Sequence, residues 1–121
     1  MEGGHETWME KYIDGTFISG ATKLIILGKI KHRSTYPYEL YKQLKAHHFS
    51  PIRKISKSDV YNTLNALENK GLVRSESRLS GSKVQKKYSI TPKGARVAKE
   101  AKKILAEHLS DIKRLIAYEF Q

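Results

Sequence analysis

At 121 residues the chain suits one domain with a modest core. It has no cysteine, which excludes a disulfide framework and a thiolate metal site. No run approaches the roughly 18 apolar residues of a membrane span, and the opening MEGGHETWMEKY lacks the basic-then-apolar pattern of a signal peptide. A cytoplasmic protein is the expectation. Its 23 Lys and Arg outnumber 12 Asp and Glu, a net charge of +11, and the imbalance is localised. Residues 1–20 hold one basic and four acidic groups, residues 21–91 hold 15 and four, and residues 92–121 hold seven and four. A basic middle segment points to a polyanion; the plainer reading is a solvated lysine-rich surface.

In chain order, residues 7–13 (TWMEKYI) predict a short amphipathic helix that Asp14-Gly15 ends. TKLIILGKIK (22–31) predicts a core helix with a stripe of Leu24, Leu27 and Ile30. After the polar KHRST, Pro37 suits the first turn of a helix with Leu40 and Leu44 facing inward. HFSPIRKISKS reads as a loop with a turn at Ser50-Pro51.

Residues 57–70 predict the next helix, with Ser56 or Ser58 as its cap and Gly71 at its C-terminal stop. Val60, Leu64 and Leu67 form its inward stripe. LVRSES (72–77) and VQKKYSI (84–90) alternate as strands, joined by the turn RLSGSK. Thr91 and Pro92 then open a last helix with a stripe of Ala98, Ala101, Leu105, Leu109 (or His108), Ile112, Ile116 and Phe120. So long a helix in so small a domain cannot cover this stripe from its own chain, and a second copy is the expected cover.

The expected fold is α+β, mostly helical: a winged helix-turn-helix with an N-terminal helix and a long C-terminal dimerisation helix. Residues 1–20 form the arm, 21–91 the winged-helix domain and 92–121 the dimerisation helix. At about 100° per residue, turning Val60, Leu64 and Leu67 inward places Ser58, Asn62, Asn65 and Asn69 on the opposite face, with Tyr61 on a flank. Asn both donates to and accepts from an adenine edge, and Ser serves either role. Lys57 and the helix amides suit phosphate, and Arg53, Lys54, Arg78, Lys83, Lys86 and Lys87 extend that track.

Taken together, LIILGKI, YPYELYKQL, ISKSDVYNTLNALENKGLV and SGSKVQKKYSITPKG, within residues 24–94, resemble the PadR family of winged-helix transcriptional regulators. The resemblance implies a dimeric repressor of palindromic double-stranded DNA, paired through its terminal helices. It implies DNA contacts for Ser56, Ser58, Tyr61 and Lys87, and structural roles for Leu64, Leu67, Gly71 and Leu72. Trp8, Tyr12, Leu105, Leu109, Ile112, Ile116 and Phe120 are the candidate dimer contacts. The smaller subfamily includes members that bind planar drugs between subunits. Trp8 and Phe120 would line such an apolar ligand site, and interface packing is the reading preferred for them. Pro37 replaces the family's usual Gly, and Asp59 and Asn62 stand where small residues or Pro are common, so the operator does not carry over.

Nothing points to catalysis or a cofactor. No H-E-x-x-H, P-loop or G-x-G-x-x-G occurs. His47 and His48, placed on a helix, diverge by about 100° and share no metal, and His5, His32 and His108 are scattered. Glu39 and Glu68 read as surface or ion-pairing groups rather than an acid–base pair. The competing functions are charge-driven, non-specific DNA binding of a chromatin type and a winged helix used for protein contacts.

Overall fold

The computed structural model describes residues 7–120, and the side chains of these except 14–21. Helix α1 (Trp8–His32) is followed by α2 (Pro37–Lys45), a single turn α3 (Ser50–Arg53), α4 (Lys57–Asn69), the hairpin β1 (Val73–Ser80) and β2 (Lys83–Ile90), and α5 (Pro92–Glu119). His5 and Gln121 lie outside the described residues.

Helix α1 corrects the sequence reading. It runs unbroken through Asp14-Gly15 and across the expected boundary at residue 20. A glycine inside a helix costs only about 1 kcal/mol against Ala, and no proline follows to stop the chain. The start is fixed by a capping box: the Thr7 hydroxyl accepts from Glu10 N at 3.1 Å, and the Glu10 carboxylate accepts from Thr7 N at 3.2 Å. The inward stripe also shifts. Ile26, Leu27 and Ile30 are buried, whereas Leu24 is half-buried and lines a groove against α5.

Leu40 and Leu44 of α2 meet Val60, Leu64 and Leu67 of α4 in the core, which Leu72, Val73 and Tyr88 close from the hairpin side. The segment expected as a loop supplies two further core residues. Pro51 opens the turn α3, and Ile52 and Ile55 are both buried. Proline's fixed φ is already helical, so a Ser-Pro pair starts a turn of helix as readily as a bend.

The strands reach further than the sequence pattern showed. Their register runs from Val73 opposite Ile90 to Ser80 opposite Lys83, leaving a loop of two residues. Gly81 takes φ +66 there, the geometry that lets so short a loop follow the strand twist. Thr35 adds a one-residue third strand: its N–H donates to Tyr88 O at 3.0 Å and its carbonyl accepts from Tyr88 N at 2.8 Å.

The end of α4 is tied to the start of α5. Gly71, at φ +75, donates to Glu68 O, and Leu72 N donates to Leu67 O, both at 2.9 Å, which closes a Schellman turn. The Thr91 hydroxyl accepts from Gly94 N at 3.0 Å and donates to Gly71 O at 2.7 Å. Lys93 Nζ donates to Lys70 O at 2.8 Å. Gly94 is buried against this junction, and a Cβ there would overlap Leu72 O and fall 2.9 Å from Ile90 Cγ1. Gly94→Ala is therefore expected to lower the stability read from urea unfolding by about 1–3 kcal/mol, the cost of overpacking a tight site.

Candidate nucleic-acid interface

Capping sets the position of α4. The Ser56 hydroxyl accepts from Asp59 N at 3.0 Å, and the Asp59 carboxylate accepts from Ser56 N at 3.2 Å. The one acid of the first turn is thus drawn back onto the backbone. The same box occupies one first-turn amide that the sequence reading left for phosphate; the Ser56 hydroxyl keeps its proton to donate.

Val60, Thr63, Leu64 and Leu67 face the core, and Ser58, Asn62, Asn65 and Asn69 are exposed together on the other side. Tyr61 stands half out of the surface beside Asn65. A cleft of about 350 Å³ separates this face from the wing, lined by Tyr36, Tyr38, Tyr61, Asn65, Val84 and Lys86, with Tyr88 at its base. Tyr88 is buried, and its phenol pKa is raised above 10.0, first by burial and then by Glu68 and Tyr61. Glu68 accepts hydrogen bonds from Ser75 N at 3.1 Å and Ser75 Oγ at 2.8 Å. It therefore joins α4 to β1 rather than serving as the surface or ion-pairing group expected. Glu39 does ion-pair, with Lys42 at 3.6 Å.

The candidate phosphate track divides between surfaces. Cross-strand partners share a face, so Arg78, Lys83 and Lys87 lie on one face of the wing and Lys86 on the other, the face that looks toward α4. Arg53 braces its own loop by donating to the carbonyls of His47 and His48 at 2.9 and 3.0 Å. Lys54, also exposed, follows it at the end of α3.

The aromatic residues of α2 were missing from the sequence reading. Lys57 Nζ sits 5.4 and 5.7 Å from the ring centres of Tyr38 and Tyr41. Lys42 lies over Tyr38 at 5.2 Å and Lys45 over Tyr41 at 5.5 Å. Cations held over ring faces gain about 0.5–1 kcal/mol each when exposed. The spacing of Tyr38, Tyr41, Lys42 and Lys45 at i, i+3, i+4 and i+7 was the available signal, since it marks one side of a helix.

His47 and His48 do not diverge as a helical placement requires. They lie in the turn before α3, and their rings stack with centres 4.5 Å apart. Among the described residues, no group of three or more His, Cys, Asp or Glu side chains could hold a metal. Nor, among these residues, is any helix long and apolar enough to cross a membrane.

Helices α1, α2 and α4, the last with an exposed polar face, and a two-stranded wing define a winged helix-turn-helix. The model of the transcriptional regulator PadR-like family matches residues 26–100, and the chain belongs to that family of DNA-binding regulators, which are not enzymes. The structure is similar to that of a PadR family transcriptional regulator from Eggerthella lenta, with 24% identity over 91% of this chain and 94% of that one and a TM-score of 0.81. A transcriptional regulator from Clostridium thermocellum matches at 23% identity, 84% and 98% coverage, and a TM-score of 0.74. For a putative transcriptional regulator from Thermoplasma acidophilum the values are 22%, 89% and 97%, and 0.67. No curated protein matches by sequence.

The histidine turn carries a pH dependence. Phe49 N donates to His47 Nδ1 at 3.1 Å, a bond that needs this nitrogen unprotonated. Burial, then the charges of His48, Lys29 and Arg53, hold the His47 pKa below 6.5. The unfolded chain therefore takes up the proton first. The stabilisation is present above pH 6.5 and is lost as the pH falls through the lowered value. The melting temperature should fall on acidification from about pH 7 to about pH 5. His47→Asn, whose side-chain oxygen can accept the same N–H without titrating, should flatten that part of the profile.

Proposed function

We propose that this regulator is a homodimeric repressor of a palindromic operator, with α4 in the major groove and the wing along the neighbouring backbone and minor groove. The observation that carries the reading is the exposed face of Ser58, Asn62 and Asn65, free of long acidic side chains and bordered by Tyr61 and the wing. Asn62 and Asn65 read base edges; Ser56, Ser58 and Tyr61 flank them. Lys57, Lys86, Lys87, Lys83, Arg78, Arg53 and Lys54 meet phosphates. Repression follows from occupancy, since a dimer seated on its operator excludes other proteins from that stretch.

The dimer is argued from α5. Leu105, Leu109, Ile112 and Ile116 are exposed on a helix of 28 residues, about 42 Å long, and Phe120 is exposed at its C-terminal cap. Trp8 and Tyr12 are exposed at the start of α1. An apolar surface of this extent needs a cover, and a second α5 supplies one of matching chemistry. In this division of labour residues 21–91 bind DNA, and residues 1–20 and 92–121 pair the subunits. Any small apolar ligand would enter between those helices.

Selection from random duplexes should yield a palindrome with half-sites about one helical turn, or a multiple, apart. A ratio of specific to random binding near one would instead favour the charge-driven, non-specific reading. Asn62→Ala is expected to relax base preference at one position, at a cost of about 1–3 kcal/mol. Lys86→Ala should weaken all duplexes alike and reduce the salt slope by about 1. By light scattering at micromolar concentration the chain should be a dimer and Ile112→Glu a monomer.

A further inference from the structure

A second cleft, of about 270 Å³, lies where the end of α1 meets the base of β2 and one side of α2. Lys29 and Arg33 line it from the end of α1, and Lys87 from β2. The only acid in its wall is Glu39, whose carboxylate is paired with Lys42. Three cations thus share one concave site with a single, already engaged carboxylate. Gathering like charges costs free energy wherever solvent screening is reduced, and Lys29 and Lys87 are both half-buried.

The wall is braced. Lys87 Nζ stands 5.9 Å from the Tyr36 ring centre. The backbone before Tyr36 is held by the two hydrogen bonds between Thr35 and Tyr88. Beneath it, the hydroxyls of Ser34 and Ser89 are 2.8 Å apart. Each cation therefore comes from a segment already fixed by the fold.

We infer that this cleft binds a phosphate group. Arg presents a planar fork that engages two oxygens at once, and lysines add point charges around it. A tetrahedral phosphate directs its oxygens toward several walls at once and so answers all three cations, as a planar carboxylate does less well. The volume lies below the roughly 300–1,000 Å³ of sites that enclose drug-sized ligands, so the cleft takes the phosphate and leaves whatever carries it outside. Tyr36 lines both this cleft and the one beside α4. The phosphate therefore has two sources: the backbone of a bound duplex, or the phosphate of a small free ligand. Only the first rests on the proposed function.

The test compares the full chain with the double variant Lys29→Gln/Arg33→Gln, which leaves α4 and the wing untouched. One arm follows melting in inorganic pyrophosphate against sodium chloride of equal ionic strength. The other follows affinity for a mixed-sequence duplex across salt concentrations. A free-ligand site predicts that pyrophosphate raises the melting temperature of the wild type above its value in chloride but not that of the variant, with equal salt slopes. A backbone site predicts, whatever pyrophosphate does to melting, a salt slope shallower by about 1 in the variant. Melting that does not distinguish pyrophosphate from chloride in either protein, together with coincident slopes, overturns the inference. If loss of half-buried Lys29 lowers folding stability, Arg33→Gln alone, at an exposed position, is read in the same way. Neither arm uses an operator, so absence of operator preference would count against the proposed function and not against this cleft.

Discussion

The orientation of the polar helix depends on the junction between α4 and α5. Helix ends leave carbonyls without intrahelical partners. Here the carbonyls of Lys70 and Gly71 are taken by Lys93 and Thr91, from the first residues of the next helix but one hairpin away. Thr91 N also donates to Leu72 O at 3.1 Å. Each such bond contributes about 1 kcal/mol net, but their combined effect is geometric. Both feet of the hairpin, at residues 72–73 and 90–91, are pinned to one point. The angle between α4 and the wing is therefore a property of the backbone and not of surface side chains. Gly94 completes the arrangement because any side chain would displace the Leu72 carbonyl.

From that fixed angle the surface chemistry follows. Tyr38 and Tyr41 hold Lys57 at the start of α4, and the Ser56–Asp59 box withdraws the nearby carboxylate. Cations confined before a partner arrives lose less side-chain freedom on binding than free lysines do. The polar face itself stays open, with Asn62 and Asn65 exposed and joined to the wing by a tyrosine-lined cleft.

What was legible in the sequence was mostly local. Val60, Leu64 and Leu67 announced the inward face of α4 by spacing alone, Gly71 its stop, and Thr91-Pro92 the start of α5, because caps and stripes are written within a few residues. The misreadings came where a local cue was overruled. Asp14-Gly15 is a turn signal in isolation, yet a helix already started by Thr7 and Glu10 continues through it. Ser50-Pro51 opens a helical turn instead of a bend because Ile52 and Ile55 gain burial there. The Thr35–Tyr88 bridge and the contact of Glu68 with Ser75 join segments that no periodicity relates. In the candidate site, the asparagine face was readable from 100° geometry. Alternation along β2 already sets Lys86 apart from Lys83 and Lys87, whereas the face taken by Arg78 was not readable, because it depends on the register across the turn at Gly81.

That register has a consequence for self-association. A two-stranded hairpin projecting from a domain offers backbone donors and acceptors along its free edges, a template on which another hairpin could pair. Thr35 closes that edge only beside Tyr88. Beyond it the wing carries Arg78, Lys83, Lys86 and Lys87, against Glu76 as the only acid in either strand. Two wings brought edge to edge would repel, so the charge suited to a polyanion also keeps free molecules apart. Neutralising that charge without covering the edge, as short anionic oligomers or heavy acetylation of lysines would do, removes the guard, and aggregation through the wing becomes the price of silencing its lysines.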